Sequence, residues 1–135
     1  MVEDNPGDVR LAREALREAS IPNNVLVAGD GVEALACLRS QGAYALTGRP
    51  DLILLDLNLP GKSGLEALAE IKSDQALKRI PVVVLTTSQA EDDIHRSYDL
   101  HANAYISKPV DLERFIELIK CIECFWLKLV NFPRR

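Results

Sequence analysis

The run Pro50-Asp51-Leu52-Ile53-Leu54-Leu55-Asp56-Leu57-Asn58-Leu59-Pro60-Gly61 decides how this chain is read, because four consecutive large apolar residues deliver a carboxylate straight into a turn. An unbroken apolar run bounded by turn residues suits a central parallel strand buried on both faces. In open α/β sheets ligands bind just beyond the carboxyl ends of such strands, so Asp56 stands at a candidate reaction site. Taken alone, the motif is equally well read as a turn capped by Asp56 ahead of Pro60-Gly61.

Polar residues at the ends of other apolar strands shift that balance. Glu3 and Asp4 follow Val2, Thr86 follows Pro81-Val82-Val83-Val84-Leu85, and Lys108 follows Ala104-Tyr105-Ile106-Ser107. Glu3 and Asp4 can each be read as a solvated terminus, Thr86 as a β-branched strand residue and Lys108 as a surface charge. Their joint placement at strand ends is hard to explain that way. Carboxylates from Glu3, Asp4 and Asp56 gathered in one place would repel unless a divalent cation neutralised them, and hard oxygen ligands of this kind suit Mg²⁺.

Between the strands, helical spacing recurs, the alternation that predicts a parallel sheet covered on both faces. Asn5-Pro6-Gly7-Asp8 reads as a turn, Val9 to Ala19 then carries apolar residues at Ala12, Ala15, Leu16 and Ala19, and Val25 to Ala28 reads as a strand. Asp30-Gly31-Val32-Glu33 opens a helix to about Leu38 with a capping-box pattern, and Ser63-Gly64-Leu65-Glu66 opens another with Leu65, Leu68 and Ile71 on one side. Strands at Leu52–Leu55, Val82–Leu85 and Ala104–Ile106, a helix from Glu91 to Leu100 and a last helix opened by Asp111 complete five strands and five helices.

The acidic pair Glu3-Asp4, then Asp56, Thr86 and Lys108-Pro109, in this order and spacing, resemble the receiver domain of bacterial two-component response regulators over most of the chain. The resemblance implies an α/β fold: a single doubly wound five-stranded parallel sheet of the flavodoxin-like receiver type, order 2-1-3-4-5, with five helices. By the same resemblance Asp56 is the phosphoacceptor, Thr86 the switch hydroxyl, Tyr105 the switch aromatic and Lys108 the cation beside the phosphoryl group. Glu3, Asp4, Asp56 and the backbone carbonyl of Asn58 would hold Mg²⁺ or Mn²⁺, Asn58 and Ser88 would flank the phosphoryl group, and the phosphoryl donor would be a sensor histidine kinase. The wording Leu55-Asp56-Leu57-Asn58-Leu59-Pro60, the long Ser40–Arg49 connection and the C-terminal tail resemble response regulators paired with cyanobacterial phytochromes, which makes a phytochrome the expected kinase.

Two features depart from the pattern. Only Met1 and Val2 precede Glu3, so the central first strand is cut to a remnant; its neighbours should lack backbone partners, and residues upstream of Met1 are expected in the natural chain. The Ser40–Arg49 connection is longer than a usual α/β loop and suggests recognition. From Leu112 to about Leu129 apolar residues fill two stripes. Leu112, Phe115, Ile116, Ile119 and Ile122 should cover the sheet, with Leu118, Cys121, Phe125 and Leu129 beside them. Residues 1–124 are read as the receiver and 125–135 as an extension, with no output domain, in which Phe125, Trp126, Leu129 and Phe132 make a homodimer contact; the alternative is a tail that folds back on its own domain.

Composition sets outer limits. With 135 residues, the chain suits one domain that buries roughly two thirds of its unfolded surface. A net charge of −4 without a basic run argues against nucleic-acid binding, and no apolar run approaches bilayer length, so the expectation is a cytoplasmic protein that contacts no membrane. Cys37, Cys121 and Cys124 make no even disulfide framework. Cys121-Ile122-Glu123-Cys124 sits inside a helical pattern without further ligands, so core or interface packing is preferred over zinc or redox chemistry, and His95 and His101 complete no site. A haloacid-dehalogenase-type phosphatase would want an acid where Asn58 stands, and a flavin binder would want a hydroxyl-rich loop after the first strand. A receiver-like binding module that is never phosphorylated is the stronger alternative to a phosphoacceptor signalling protein without enzymatic turnover.

Overall fold

The structure is a computed structural model and describes residues 1–18, 23–39 and 49–131. The 40–48 segment expected to carry recognition, and Phe132, lie outside the described residues.

Helix starts follow from local chemistry. Helix α1 (Pro6–Arg17) begins three residues before the expected Val9, because Asn5 and Pro6 act as cap and first turn rather than as a free turn. The Asn5 side chain accepts the N–H groups of Gly7 and Asp8 at 2.9 and 3.2 Å, and proline at the first position lacks the N–H that would otherwise go unsatisfied. Asp30 caps α2 (Gly31–Leu38) and Ser63 caps α3 (Gly64–Ser73), each by accepting the N–H of the glutamate three residues on. Helix α4 (Glu91–Asp99) ends where His101, at φ 70°, lets the N–H groups of His101 and Ala102 donate back to the carbonyls of Tyr98 and Ser97. Its other histidine, His95, pairs with Glu91 at 3.5 Å in solvent. Helix α5 (Leu112–Ile122) is capped by Asp111.

Strands β1 (Ile53–Leu55), β2 (Val82–Thr86) and β3 (Ala104–Ser107) form a parallel sheet in that order. Val2 forms parallel bridges to Ala28 on one side and Leu55 on the other. The spatial order Ala28, Val2, β1, β2, β3 is the flavodoxin-like 2-1-3-4-5 arrangement, but the first two positions are single bridges rather than strands. The expected Val25–Ala28 strand is thereby corrected: only Ala28 forms a bridge, to Val2, while Leu26 O accepts the Met1 amine at 2.8 Å. That remnant is nonetheless held on both sides, with Val2 N–H donating to Leu54 O (2.7 Å), Asp56 N–H to Val2 O (3.0 Å), Glu3 N–H to Ala28 O (2.9 Å) and Ala28 N–H to Met1 O (3.0 Å).

Side chains alternate across β2 and divide the core into two layers. Val82 and Val84 pack with Leu35, Leu68 and Ile71 beneath α2 and α3, while Val83 and Leu85 pack with Ala12, Ala15, Phe115 and Ile119 beneath α1 and α5. A strand covered on both faces need not alternate polar with apolar, which is why these strands read as continuous apolar runs.

Past Ile122 the backbone becomes a π-helical segment, Glu123–Leu129. Phe115, Ile119 and Ile122 are buried as the first stripe requires, but Leu112 is 63% exposed at the helix start. Trp126 turns onto the α1/α5 layer and meets Phe125 edge-on, with centroids 5.6 Å apart, whereas Phe125 and Leu129 are 54% and 68% exposed. Of the core or interface packing expected for Cys121 and Cys124, the core half is corrected: both are free and exposed, on the side of the helix away from Ile119 and Ile122. Among the described residues no helix is long and apolar enough to cross a membrane.

Gly64 ties α3 to the end of β1. A Cβ there would stand 2.2 Å from Asp56 O and 2.5 Å from Leu57 Cα, and the Gly64 N–H donates to Leu57 O at 3.0 Å. Gly64→Ala should therefore destabilise the fold by about 2 kcal/mol or more, because backbone rather than a flexible side chain must give way. Urea unfolding of the variant checks it.

Candidate functional site

The carboxyl ends of the strands bring the candidate residues together: β1 and β2 are fully buried apolar runs, Val2 is a buried bridge residue, and β3 is a half-buried edge strand. Val2 delivers Glu3 and Asp4, β1 delivers Asp56, β2 ends at Thr86, and β3 leads into Lys108. Glu3, Asp56, Thr86 and Lys108 are buried, while Asp4 is exposed. The Lys108 N–H donates to Thr86 O at 2.7 Å, so the lysine is registered against β2 by backbone before its side chain plays any part.

Lys108 Nζ sits among carboxylates. It donates to Glu3 Oε1, to Asp8 Oδ2 at 2.9 Å and to Asp56 Oδ2 at 3.4 Å. Burial alone would lower its pKa, but the hydrogen bonds it donates to Glu3 and Asp8 and the charges of Glu3 and Asp56 outweigh burial and raise it. It stays an ammonium. Glu3 is pushed up to about 7, first by burial and further by the charge of Asp56, with Lys108 and the Asn5 N–H opposing. The second Glu3 oxygen accepts that Asn5 N–H at 3.2 Å, and Asp56 Oδ1 accepts the Asn58 N–H at 3.3 Å.

Carboxylate oxygens of Glu3, Asp4 and Asp56 lie within 4.8 Å of one another, a set of hard donors at the spacing one divalent cation would bridge. A single ammonium leaves this cluster short of positive charge, so the donor set fits Mg²⁺ or Mn²⁺. Asp8 belongs to the same cluster and was not singled out from the sequence. Its signal was its place in the first turn of a helix that starts just after the acidic pair.

Around β2 the loop carries its own bonds. Thr86 is 0% exposed, and its Oγ1 accepts the Ser88 N–H at 3.4 Å. The Ser88 hydroxyl donates to Asp93 Oδ2 at 2.6 Å, and the Tyr105 hydroxyl donates to Ser88 O at 2.9 Å. Ser88 is therefore joined to both β3 and α4, and Asp93 is a further residue that the sequence did not announce.

The response regulator receiver domain model matches residues 1–120 of this sequence. The chain belongs to the response regulator receiver family. This receiver is 50% identical over 133 residues to response regulator Rcp1 of Synechocystis sp., spanning 98% of this chain and 90% of that protein. It superposes on the phosphorylated cyanobacterial phytochrome response regulator RcpA with a TM-score of 0.95 at 57% identity, covering 98% of this chain and 95% of that one. The Mn²⁺-bound form of Rcp1 matches with a TM-score of 0.94 at 50% identity, covering 98% and 96%. The receiver is thus a signalling protein related to the phytochrome response regulators.

Because Glu3 protonates at about 7, protons compete with a cation for its carboxylate, and affinity must fall as pH falls. Manganese titration followed by electron paramagnetic resonance should show about a ten-fold weaker Kd at pH 6 than at pH 8. Without metal the sign reverses for stability: a raised carboxyl pKa favours the fold most below its ordinary value near 4.5, and that contribution is lost as pH rises through 7.

Proposed function

We propose that this receiver accepts a phosphoryl group on Asp56 from a sensor histidine kinase, with a phytochrome as the kinase, and that the resulting acyl phosphate switches a protein-interaction surface. The observation that carries the reading is the carboxylate of Asp56 at a buried strand end, touched by Lys108 and grouped with Glu3 and Asp4.

Phosphoryl transfer needs positioning and compensation of charge on the transferring oxygens more than covalent chemistry from the protein. Asp56 attacks phosphorus as the bond to the histidine nitrogen breaks, and the imidazole leaves with the electron pair. The Asn58 N–H holds one Asp56 oxygen in place. Lys108, kept charged by Glu3 and Asp8, faces the incoming oxygens. Glu3, Asp4, Asp56 and the Asn58 carbonyl would hold Mg²⁺, which when bound supplies positive charge to the phosphoryl oxygens. Thr86 then donates to a phosphoryl oxygen, and the pull on its loop acts on Ser88 and so on Tyr105, whose hydroxyl is bonded there.

The surface that responds lies at α4, β3 and α5. There Val110, Leu112, Phe125 and Leu129 present apolar surface to solvent. Phe125, Trp126, Leu129 and Phe132, on the 125–135 extension, form the homodimer contact in this reading.

Intact-protein mass after incubation with acetyl phosphate and Mg²⁺ is expected to show one phospho adduct that needs the cation and is absent in Asp56→Asn. No adduct from the folded wild-type chain would favour a receiver that acts by binding alone. Sedimentation with and without beryllofluoride should show a change in dimer fraction, abolished in Phe125→Ala/Leu129→Ala; an unmoved distribution would remove dimerisation from the switch.

A further inference from the structure

Both oxygens of Glu3 and both of Asp56 already have a donor. One oxygen of Glu3 accepts the Asn5 N–H at 3.2 Å and the other accepts the Lys108 ammonium. Asp56 repeats the pattern: Oδ1 accepts the Asn58 N–H at 3.3 Å, and Oδ2 accepts the same ammonium at 3.4 Å. A divalent cation bridging Glu3, Asp4 and Asp56 therefore meets Lys108 on the oxygens it needs. Two positive charges bearing on one oxygen repel. An ammonium driven off both carboxylates would be stranded where its side chain is only 5% exposed, which is costly for a charge without a partner. Cation and lysine are rivals unless the lysine has another anchor.

Asp8 is placed to be that anchor. Lys108 Nζ donates to Asp8 Oδ2 at 2.9 Å, a shorter contact than the one to Asp56. Asp8 touches the ammonium but is not among the three residues whose oxygens lie within 4.8 Å of one another. Its backbone is fixed without help from the lysine, since Asn5 Oδ1 accepts the Asp8 N–H at 3.2 Å in capping α1. The Asp8 side chain keeps 24% of its surface, against 1% for Glu3, so it loses less hydration as a carboxylate than its buried neighbour. An ammonium has three protons to donate, and one that gives up Glu3 keeps Asp8.

We propose that Asp8 is a positioning residue that carries the Lys108 ammonium while a divalent cation takes Glu3 and Asp56, so that both positive charges occupy the site together instead of one excluding the other. This role rests on the cation-dependent receiver chemistry proposed above, and adds to it the residue that makes cation and lysine compatible. It requires no movement of the backbone, because Asp8 is already bonded to Lys108 and Lys108 N–H is already held on Thr86 O.

The test is a double-substitution cycle on the full chain, read as Mn²⁺ affinity by electron paramagnetic resonance at pH 8, above the point at about 7 where Glu3 loses its proton. Asp8→Asn should weaken Kd about thirty-fold when Lys108 is present, and no more than about three-fold in a Lys108→Met background, where there is no ammonium to displace. Asp8→Glu, which keeps the carboxylate, should stay within about three-fold of the unaltered chain. Equal weakening in both Lys108 backgrounds would reduce Asp8 to a nearby negative charge and overturn the proposal, with Mn²⁺ binding by the unaltered chain intact. No Mn²⁺ binding by the unaltered chain would instead overturn the cation-dependent reading, and this role with it. A second measurement needs no variant: with saturating Mg²⁺, the Lys108 ammonium protons should exchange with water at least ten-fold more slowly, by ¹⁵N NMR, than those of exposed Lys78. Exchange as fast as at Lys78 would show the ammonium evicted and the proposal wrong.

Discussion

The charge balance around Lys108 is the constraint on which the upper end of this molecule depends. Glu3, Asp8 and Asp56 converge on one buried ammonium, and Asp4 stands close enough to share a cation with two of them. Such a group of acids could not be gathered without compensation, because removing each from water is itself costly. One lysine compensates in part, and the remainder creates demand for a divalent ion. The fold satisfies its own geometry by building a site that is electrostatically incomplete, and an excess of negative charge of that kind favours a divalent cation.

Most of this arrangement was legible in the sequence, for a physical reason. Strands buried on both faces must be apolar throughout, so the first polar residue after each run marks the strand end, and Glu3, Asp56 and Thr86 could each be found that way, while Lys108 was found from its place just past the Ala104–Ser107 strand. Helix starts were equally readable at Asp30, Ser63 and Asp111, where a side-chain oxygen takes an N–H of the first turn. Asp8 and Asp93 were not readable. They sit on helices as ordinary acidic residues: Lys108 reaches Asp8 only through the tertiary fold, and Ser88, five residues before Asp93, meets it only because the loop turns into α4 there.

Where the sequence misled, local pattern was overruled by supply or by side. Val25–Ala28 has the composition of a strand but pairs at Ala28 alone, because pairing needs a neighbour as well as a propensity. Asn5-Pro6 looked like a turn and is a helix start, since the residues that disrupt a helix interior are those that open one. Cys121 and Cys124, expected in the core or an interface, face solvent and take no part in the core, because they fall on the side of the helix turned away from the sheet.

The two-layered core around β2 has a further meaning for how the molecule moves. Val82, Val83 and Val84 are all 0% exposed and Leu85 is nearly so, which places the strand behind Thr86 among the segments that open only when the whole domain does. The loop just beyond, from Thr87 to Ala90, is held by a few hydrogen bonds centred on Ser88. A steep gradient of local stability therefore runs across a handful of residues. A displacement of Thr86 would be resisted by the strand behind it and taken up by the loop ahead, where Ser88 is tied to Tyr105 and Asp93.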